Sequence, residues 1–163
     1  ERHIIDCLQL NKFLESWAQE ILDVGAGAGF PGVVLAITNE RQITLLEKDL
    51  KKIAFLRHVR ANLGLENLTL IDKRWEEWEA IKRFDLVTAR AFSAMDTLLQ
   101  VGYKFLKKDG YALFMKGKDW EVDYKKSLQY WKFDSDIHRS ETDENSRIIC
   151  IRNIRPRERC PVY

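Results

Sequence analysis

The sequence predicts an α/β fold built on a mostly parallel, seven-stranded sheet that closes with an antiparallel hairpin. Two observations support this prediction. Short apolar runs alternate with amphipathic stretches along most of the chain, and the last two runs flank a polar turn at residues 140–146. Alternating strands and helices favour a parallel sheet with helices on both faces. Two strands joined by a short polar turn favour antiparallel pairing.

The elements follow from the apolar runs and from the residues that bound them. The seven predicted strands are Glu20–Val24, Gln42–Leu46, Leu68–Ile71 and residues 84–88, 111–115, 133–138 and 147–151. The predicted helices are residues 33–37, a helix that Asp49 caps and Gly64 ends, residues 95–106 and part of residues 122–131. A Rossmann-like sheet with a terminal antiparallel hairpin is typical of class I methyltransferases, whereas dinucleotide-binding domains as a rule lack the hairpin.

Length and composition indicate one globular domain. The chain has 163 residues, of which 45% are hydrophobic, enough for one core. We expect a single domain over residues 1–154 and a basic, disordered tail over residues 155–163. Because the chain begins at Glu1 rather than at Met, we also expect a native N-terminal segment to be missing.

The charge balance excludes a protein that binds nucleic acid simply by being basic. Lys and Arg total 27 and Asp and Glu total 25, which leaves a net charge of +2. Any contact with nucleic acid must therefore come from local basic patches. Basic residues group in three places: Lys48, Lys51, Lys52, Arg57 and Arg60; Lys104, Lys107, Lys108, Lys116 and Lys118; and Arg147, Arg152, Arg155, Arg157 and Arg159. For most of them, a solvated surface position is the alternative interpretation.

Cysteine and histidine usage predicts neither disulfides nor a metal site. The three cysteines are far apart and form no CxxC pair, and the three histidines are scattered; they are Cys7, Cys150 and Cys160, and His3, His58 and His138. This usage favours a reducing compartment, and we expect a cytoplasmic location. No apolar run is long enough for a membrane span, so we expect no membrane partner.

A glycine-rich turn after the first strand is the most informative motif. Gly25, Gly27 and Gly29 form GxGxG, and the third glycine of the GxGxxG dinucleotide fingerprint would fall at Phe30. Pro31 follows and has no N–H to donate to a phosphate. The turn therefore suits a ligand without phosphates, such as S-adenosylmethionine. The alternative is a purely structural turn.

Glu47 is the expected acidic partner of this turn. It closes the second predicted strand and lies 22 residues after Gly25 in the sequence. A carboxylate at that place can accept hydrogen bonds from both hydroxyls of a ribose, as in dinucleotide sites. The alternative is a solvated surface carboxylate.

Five segments resemble the bacterial small-subunit rRNA guanine-N7 methyltransferases called RsmG, formerly GidB. They are residues 2–8 (RHIIDCL, similar to RHxxDSL), 23–32 (DVGAGAGFPG, similar to DVGSGAGFPG), 52–57 (KIAFLR, similar to KRxxFL), 88–92 (TARAF, similar to TARA) and Lys116-Gly117 (similar to LKG). The GFPG extension and the TARA segment are the specific parts. Cys7 stands where the family usually has Ser, and Met115 stands where Leu is common.

The resemblance implies S-adenosyl-L-methionine as cofactor and assigns residues to it. The implied cofactor-binding residues are Asp23, Gly25, Gly27, Phe30, Glu47, Trp75, Glu76 and Arg90. Bland alternatives exist: Trp75 and Glu76 as part of an amphipathic turn, Phe30 as core, and Arg90 as an ion-pair partner.

The resemblance also implies an RNA partner. The substrate would be 16S rRNA or the small ribosomal subunit, with guanine 527 in the 530 loop near the decoding centre as the target and a monomeric enzyme. His3, Arg57 and Lys116 are the implied RNA-binding residues. Arg90 and Lys116 would position the substrate.

Guanine N7 carries a lone pair and no proton, so its methylation needs no general base. The Asn/Asp-Pro-Pro-aromatic motif of many amine methyltransferases is absent at residues 88–91, which read Thr-Ala-Arg-Ala. We therefore expect no single catalytic residue. The alternatives are a nicotinamide-dependent oxidoreductase on a similar fold and a catalytically silent RNA-binding module.

Overall fold

The computed structural model describes residues 2–158, in which strands and helices alternate. The strands are β1 (Glu20–Val24), β2 (Gln42–Leu46), β3 (Leu68–Ile71), β4 (Phe84–Arg90), β5 (Leu106–Lys116), β6 (Trp131–Arg139) and β7 (Arg147–Pro156). The helices are α1 (Arg2–Leu8), α2 (Gly32–Thr38), α3 (Leu50–Leu63), α4 (Met95–Phe105) and α5 (Trp120–Ser127), with a 3-10 helix at Gln9–Phe13.

The seven strands form one sheet in the order β3-β2-β1-β4-β5-β7-β6. The first five strands pair in parallel, while β7 is antiparallel to both β5 and β6. The predicted fold class, a mostly parallel seven-stranded sheet with a C-terminal antiparallel hairpin, is therefore confirmed. The strand order reverses between β1 and β4, which creates the switch point where open α/β sheets bind ligands.

Several strands are longer than predicted. β4 continues to Arg90, and β5 starts at Leu106 rather than at residue 111 because Leu106 pairs with Phe84 across a register shift. The last two strands lengthen each other, since Trp131 pairs with Pro156. The helix predicted over part of residues 122–131 is α5, which starts two residues earlier, at Trp120, and ends at Ser127.

The last strand takes up the first two residues assigned to the basic tail. Arg155 and Pro156 belong to β7, and the Arg157 N–H donates to the Tyr130 carbonyl at 2.7 Å. The folded unit thus extends beyond the predicted end at residue 154. Residues 157 and 158 are also described, and the rest of the predicted tail, including Arg159 and Cys160, lies outside the described residues.

The core lies on both faces of the sheet. Along β1, the neighbouring residues Ile21 and Leu22 point to opposite faces and join different buried clusters. Leu56 of α3 packs on the first face, and Phe105 of α4 packs on the second. Fully burying one such side chain contributes about 1.5–3 kcal/mol. Fixed between two buried layers, the sheet forms a rigid base for the loops at its edge.

Helix α3 has the predicted ends. Asp49 accepts hydrogen bonds from the backbone N–H groups of Lys51 and Lys52 at 2.8 and 3.3 Å, and Gly64 ends the helix in the left-handed region at φ 62°.

Among residues 2–158, none of the helices combines the length and the apolarity that crossing a bilayer requires.

Candidate active site

A cleft of about 470 Å³ opens at the carboxyl edge of the parallel strands, beside the switch point between β1 and β4. The glycine turn, the end of β2, the segment after β3 and the loop after β4 form its walls. Four of the predicted cofactor residues line it: Gly25, Glu47, Trp75 and Glu76. The sheet therefore brings together residues that are up to 51 positions apart in sequence, from 25 to 76.

The glycine turn is shaped by left-handed backbone and by one aromatic ring. Gly25 and Gly27 have φ values of 69° and 57°, which residues other than glycine rarely adopt. A Cβ atom at Gly25 would lie 2.1 Å from Cδ2 of Phe92, whereas one at Gly27 would meet only the Gly25 carbonyl at 3.8 Å. Position 25 thus excludes a side chain by both conformation and space, and position 27 by conformation alone.

Glu47 holds the glycine turn to the end of β2. Its carboxylate is buried; Oε2 accepts from the Gly27 N–H at 2.9 Å, and Oε1 accepts from the N–H groups of Lys48 and Asp49 at 2.9 and 3.0 Å. A carboxylate oxygen has two lone pairs. Oε2 therefore keeps one acceptor position that no group within residues 2–158 fills, and Glu47 lines the cleft.

Asp23 lies beneath the turn and does not line the cleft. It is fully buried; Oδ2 accepts from the Gly32 N–H at 2.8 Å, and Oδ1 has no hydrogen-bond partner among residues 2–158. Burial raises the pKa of Asp23 from 3.8 to about 7, against the lowering effect of the Gly32 N–H. Asp23 therefore joins β1 to the start of α2, and its contact with any ligand would be indirect.

Trp75 and Glu76 are held at the cleft edge through their backbone. Lys104 of α4 donates to the Trp75 and Glu76 carbonyls at 3.3 and 2.9 Å. The Trp75 ring also packs against the buried cluster below α4, while Glu76 is exposed. Trp75 thus both packs against the core and lines the cleft. This position is compatible with the predicted cofactor contact and with the alternative, a structural role in an amphipathic turn.

A second cavity of about 200 Å³ adjoins the cleft at the ends of β4 and β5. The two share Ala91, Phe92 and Ser93 of the loop after β4. Ala91 has a φ of 49°, an unusual value for a residue with a side chain. Charged groups from three segments face the second cavity, namely Asp6, Arg90 and Lys116.

Arg90 lines the second cavity rather than the cleft. Its Nε donates to Asp6 Oδ2 at 3.1 Å, and its Nη2 lies 2.7 Å from Nδ1 of His3. The His3 ring lies 6.2 Å from that of Phe30, centroid to centroid. Phe30 does not line the cleft either. The predicted cofactor residues Arg90 and Phe30 thus lie beside His3, a predicted RNA residue, and outside the cleft.

Lys116 and Arg57 have different surroundings. The Lys116 ammonium donates to the Ser93 carbonyl at 2.9 Å and to Asp123 Oδ2 at 2.8 Å, and its side chain is only 14% exposed. Arg57 lies on the exposed side of α3, 3.4 Å from Asp72, and lines neither cavity. Lys116 is therefore part of the second cavity, whereas Arg57 stands apart from it.

Sequence reasoning assigned four of the fourteen residues of the cleft wall to the cofactor, and the residues that it did not assign include Lys73, Arg74, Phe92 and Thr97. Phe92 is the last residue of the matched segment 88–92, and that match was the available signal. Lys73 and Arg74 follow β3 in a turn with no motif, and only the pairing of β3 with β2 brings them to the cleft.

Comparison with known proteins decides the family. The family model described as GidB, rRNA small subunit methyltransferase G, matches residues 1–153. The chain belongs to this family. A ribosomal RNA small subunit methyltransferase G from Bartonella bacilliformis is 36% identical over 158 residues, which cover 94% of this chain and 73% of that protein. The relative of the same name from Paramagnetospirillum magneticum is 35% identical over 153 residues, covering 94% and 74%.

Solved structures agree on the fold. The glycopeptide N-methyltransferase MtfA complexed with S-adenosylhomocysteine superimposes with a TM-score of 0.74 at 11% identity, covering 91% of this chain and 88% of that one. The ribosomal protein L11 methylase from Lactobacillus delbrueckii subsp. bulgaricus gives 0.69 at 14% identity, covering 90% and 75%. Family and fold together confirm the predicted enzyme class and its methyl donor, S-adenosyl-L-methionine.

Proposed function

We propose that this methyltransferase transfers a methyl group from S-adenosylmethionine to N7 of guanine 527 in the 530 loop of 16S rRNA. The observation that carries the proposal is the shared wall of the two cavities. Because Ala91, Phe92 and Ser93 border both, a donor in the cleft and a base in the second cavity would be immediate neighbours. In-line transfer depends mainly on such positioning.

The residues of the cleft fit the donor. The open acceptor position on Glu47 suits a ribose hydroxyl, Trp75 and Glu76 would flank the adenine, and Gly25 would lie beside the methionine part. When bound, S-adenosylmethionine supplies a methyl group that its sulfonium already activates. Pro31, which caps α2 without an N–H, disfavours a pyrophosphate at the same place.

The second cavity suits an acceptor atom that loses no proton. Guanine N7 needs no base, and the charged groups there already bond to other protein groups: Asp6 with Arg90, and Lys116 with Asp123. We assign Arg90 and Lys116 as positioning residues, with His3 beside Arg90 on the RNA side. N7 lies on the base edge that is reached in loops rather than inside an RNA helix, which supports a loop guanine. An rRNA substrate also implies a cytoplasmic location.

Methylation of 16S rRNA from a strain that lacks the endogenous enzyme tests the proposal. The rRNA, as free RNA and as assembled small subunits, is incubated with the protein and labelled donor, and then treated so that the strand breaks at N7-methylguanine. We expect one new break, at guanine 527, in at least one of the two substrates. Label on adenine, on protein or on another guanine would contradict the proposed function.

A further inference from the structure

The charge along the cofactor cleft does not match the charge of the donor. Four cationic side chains line the cleft against two carboxylates, Glu47 and Glu76. The cations are Lys48, Lys52, Lys73 and Arg74. S-adenosylmethionine has a carboxylate, an ammonium and a sulfonium, so its net charge is positive. An excess of cations around a cationic ligand is repulsive, and this excess therefore indicates a second, anionic ligand.

Three of these cations are free to take such a ligand. Within residues 2–158, Lys48, Lys52 and Lys73 form no ion pair, and all three are exposed. Arg74 is 4.0 Å from Glu77. By contrast, the lysine and the arginine that the resemblance implies as RNA-binding are engaged: Lys116 pairs with Asp123, and Arg57 pairs with Asp72. Unpaired lysines can contact a phosphate without first breaking an existing pair.

The three lysines occupy one side of the cleft. Lys48 follows β2, Lys52 lies in the first turn of α3, and Lys73 follows β3, the strand that pairs with β2. We call this group the lysine rim. The second cavity lies on the other side of the cleft, at the ends of β4 and β5, with the loop of Ala91–Ser93 between them.

We propose that the lysine rim binds backbone phosphates of the RNA strand that carries the target base. This inference rests on the proposed rRNA substrate and adds the path of the strand, which runs over the cofactor side of the cleft while the base enters the second cavity. A single strand carries one phosphate per nucleotide, so three lysines can contact about three phosphates and release their counterions.

The test compares two triple variants with the same change in net charge. Lys48→Gln/Lys52→Gln/Lys73→Gln removes the lysine rim. Lys126→Gln/Lys132→Gln/Arg139→Gln removes three exposed basic residues that also form no ion pair within residues 2–158 but line neither cavity. Affinity for a fragment of 16S rRNA containing the 530 loop is measured by fluorescence anisotropy over a series of salt concentrations. Affinity for S-adenosylhomocysteine is measured by calorimetry.

The rim variant should lose about 2 units of the slope of log affinity against log salt, since each single-strand phosphate contact contributes about 0.7. Its affinity for S-adenosylhomocysteine should stay within about twofold of that of the unchanged protein. The second triple variant should keep the salt slope of the unchanged protein. Lys48→Arg/Lys52→Arg/Lys73→Arg, which retains the three charges, should also keep that slope. An unchanged slope in the rim variant, an equal loss in both triple variants, or a fall in cofactor affinity would overturn the inference. Failure of the proposed function is recognised separately, because the unchanged protein would then give no strand break at guanine 527, whatever its affinity for the RNA fragment.

Discussion

Oε2 of Glu47 accepts a hydrogen bond from the Gly27 N–H at 2.9 Å, and this contact joins the end of β2 to the glycine turn after β1. Two further N–H groups bind the other oxygen of the same carboxylate. Glu47 therefore shapes the turn through hydrogen bonds within the chain itself. The carboxylate that was predicted to hold the ribose also holds the loop against which the donor would lie.

Glu47→Gln should weaken binding of S-adenosylhomocysteine about tenfold to a hundredfold. In the orientation that keeps Lys48 and Asp49 bonded to the amide oxygen, the new NH₂ group faces the Gly27 N–H, donor against donor, and a hydrogen bond to a charged group is lost. Calorimetric titration measures the effect. Glu66→Gln, an exposed change after α3, is the control and should bind like the unchanged protein. Equal affinities for the two variants would contradict the role of Glu47.

Gly25→Ala should lower cofactor affinity by more than tenfold, because the added Cβ would lie 2.1 Å from the Phe92 ring and displace it. Gly64→Ala is the matched control. Gly64 has a similar φ, 62° against 69°, but no atom lies within 4 Å of its Cβ position. It should therefore show only the backbone strain of about 1 kcal/mol in unfolding and keep its affinity. If both variants lose affinity alike, contact with Phe92 is not the cause.

The first half of the sheet could be predicted from the sequence because local signals there agree with the final pairing. β1, β2 and β3 have the predicted bounds, and α3 has the predicted cap and end. The errors lie where a partner strand decides the length. The charged start of β5 and its Asp109-Gly110 pair are typical of a turn, yet Leu106 pairs with Phe84. Such pairing is a tertiary effect that local propensity does not contain.

Asp6→Ala should lower the free energy of unfolding by about 2–4 kcal/mol. The Asp6 carboxylate accepts from Arg90, Gln9, Ser140 and Thr142, and thereby connects α1 to the end of β4 and to the turn between β6 and β7. Urea unfolding followed by circular dichroism measures the loss. Lys12→Ala breaks an ion pair between exposed side chains of the 3-10 helix and the turn between β6 and β7, and should cost less than about 1 kcal/mol. A smaller loss for Asp6→Ala than for Lys12→Ala would contradict the assigned role.

Asp23 should make stability fall as pH rises from about 4 to about 7. Because burial raises its pKa from 3.8 to about 7, the native state keeps a proton in this interval that the unfolded chain has released. The free energy of unfolding therefore decreases as the pH rises through the interval. Asp23→Asn has no carboxyl proton to lose. As the pH rises, the free energy of unfolding of the variant should therefore increase relative to that of the unchanged protein. Urea unfolding at about pH 5 and about pH 8 measures it, and a difference independent of pH would contradict the prediction.

For the site, sequence reasoning located the residues that carry a motif and missed those that topology supplies. Glu47 and Gly25 each follow directly after a predicted strand, and both line the cleft. Arg90 also follows its strand, but its pairing with Asp6, 84 residues away, takes it to the second cavity. Lys73 belongs to no motif, and its place beside Lys48 follows only from the pairing of β2 with β3.

The most direct test of the account is a calorimetric titration of the folded protein with S-adenosylhomocysteine, with NADH titrated in parallel. The cleft at the glycine turn should bind one molecule of S-adenosylhomocysteine per chain and should give no saturable heat with NADH. Saturable binding of NADH, or no heat with S-adenosylhomocysteine from protein whose folding is confirmed by circular dichroism, would contradict it.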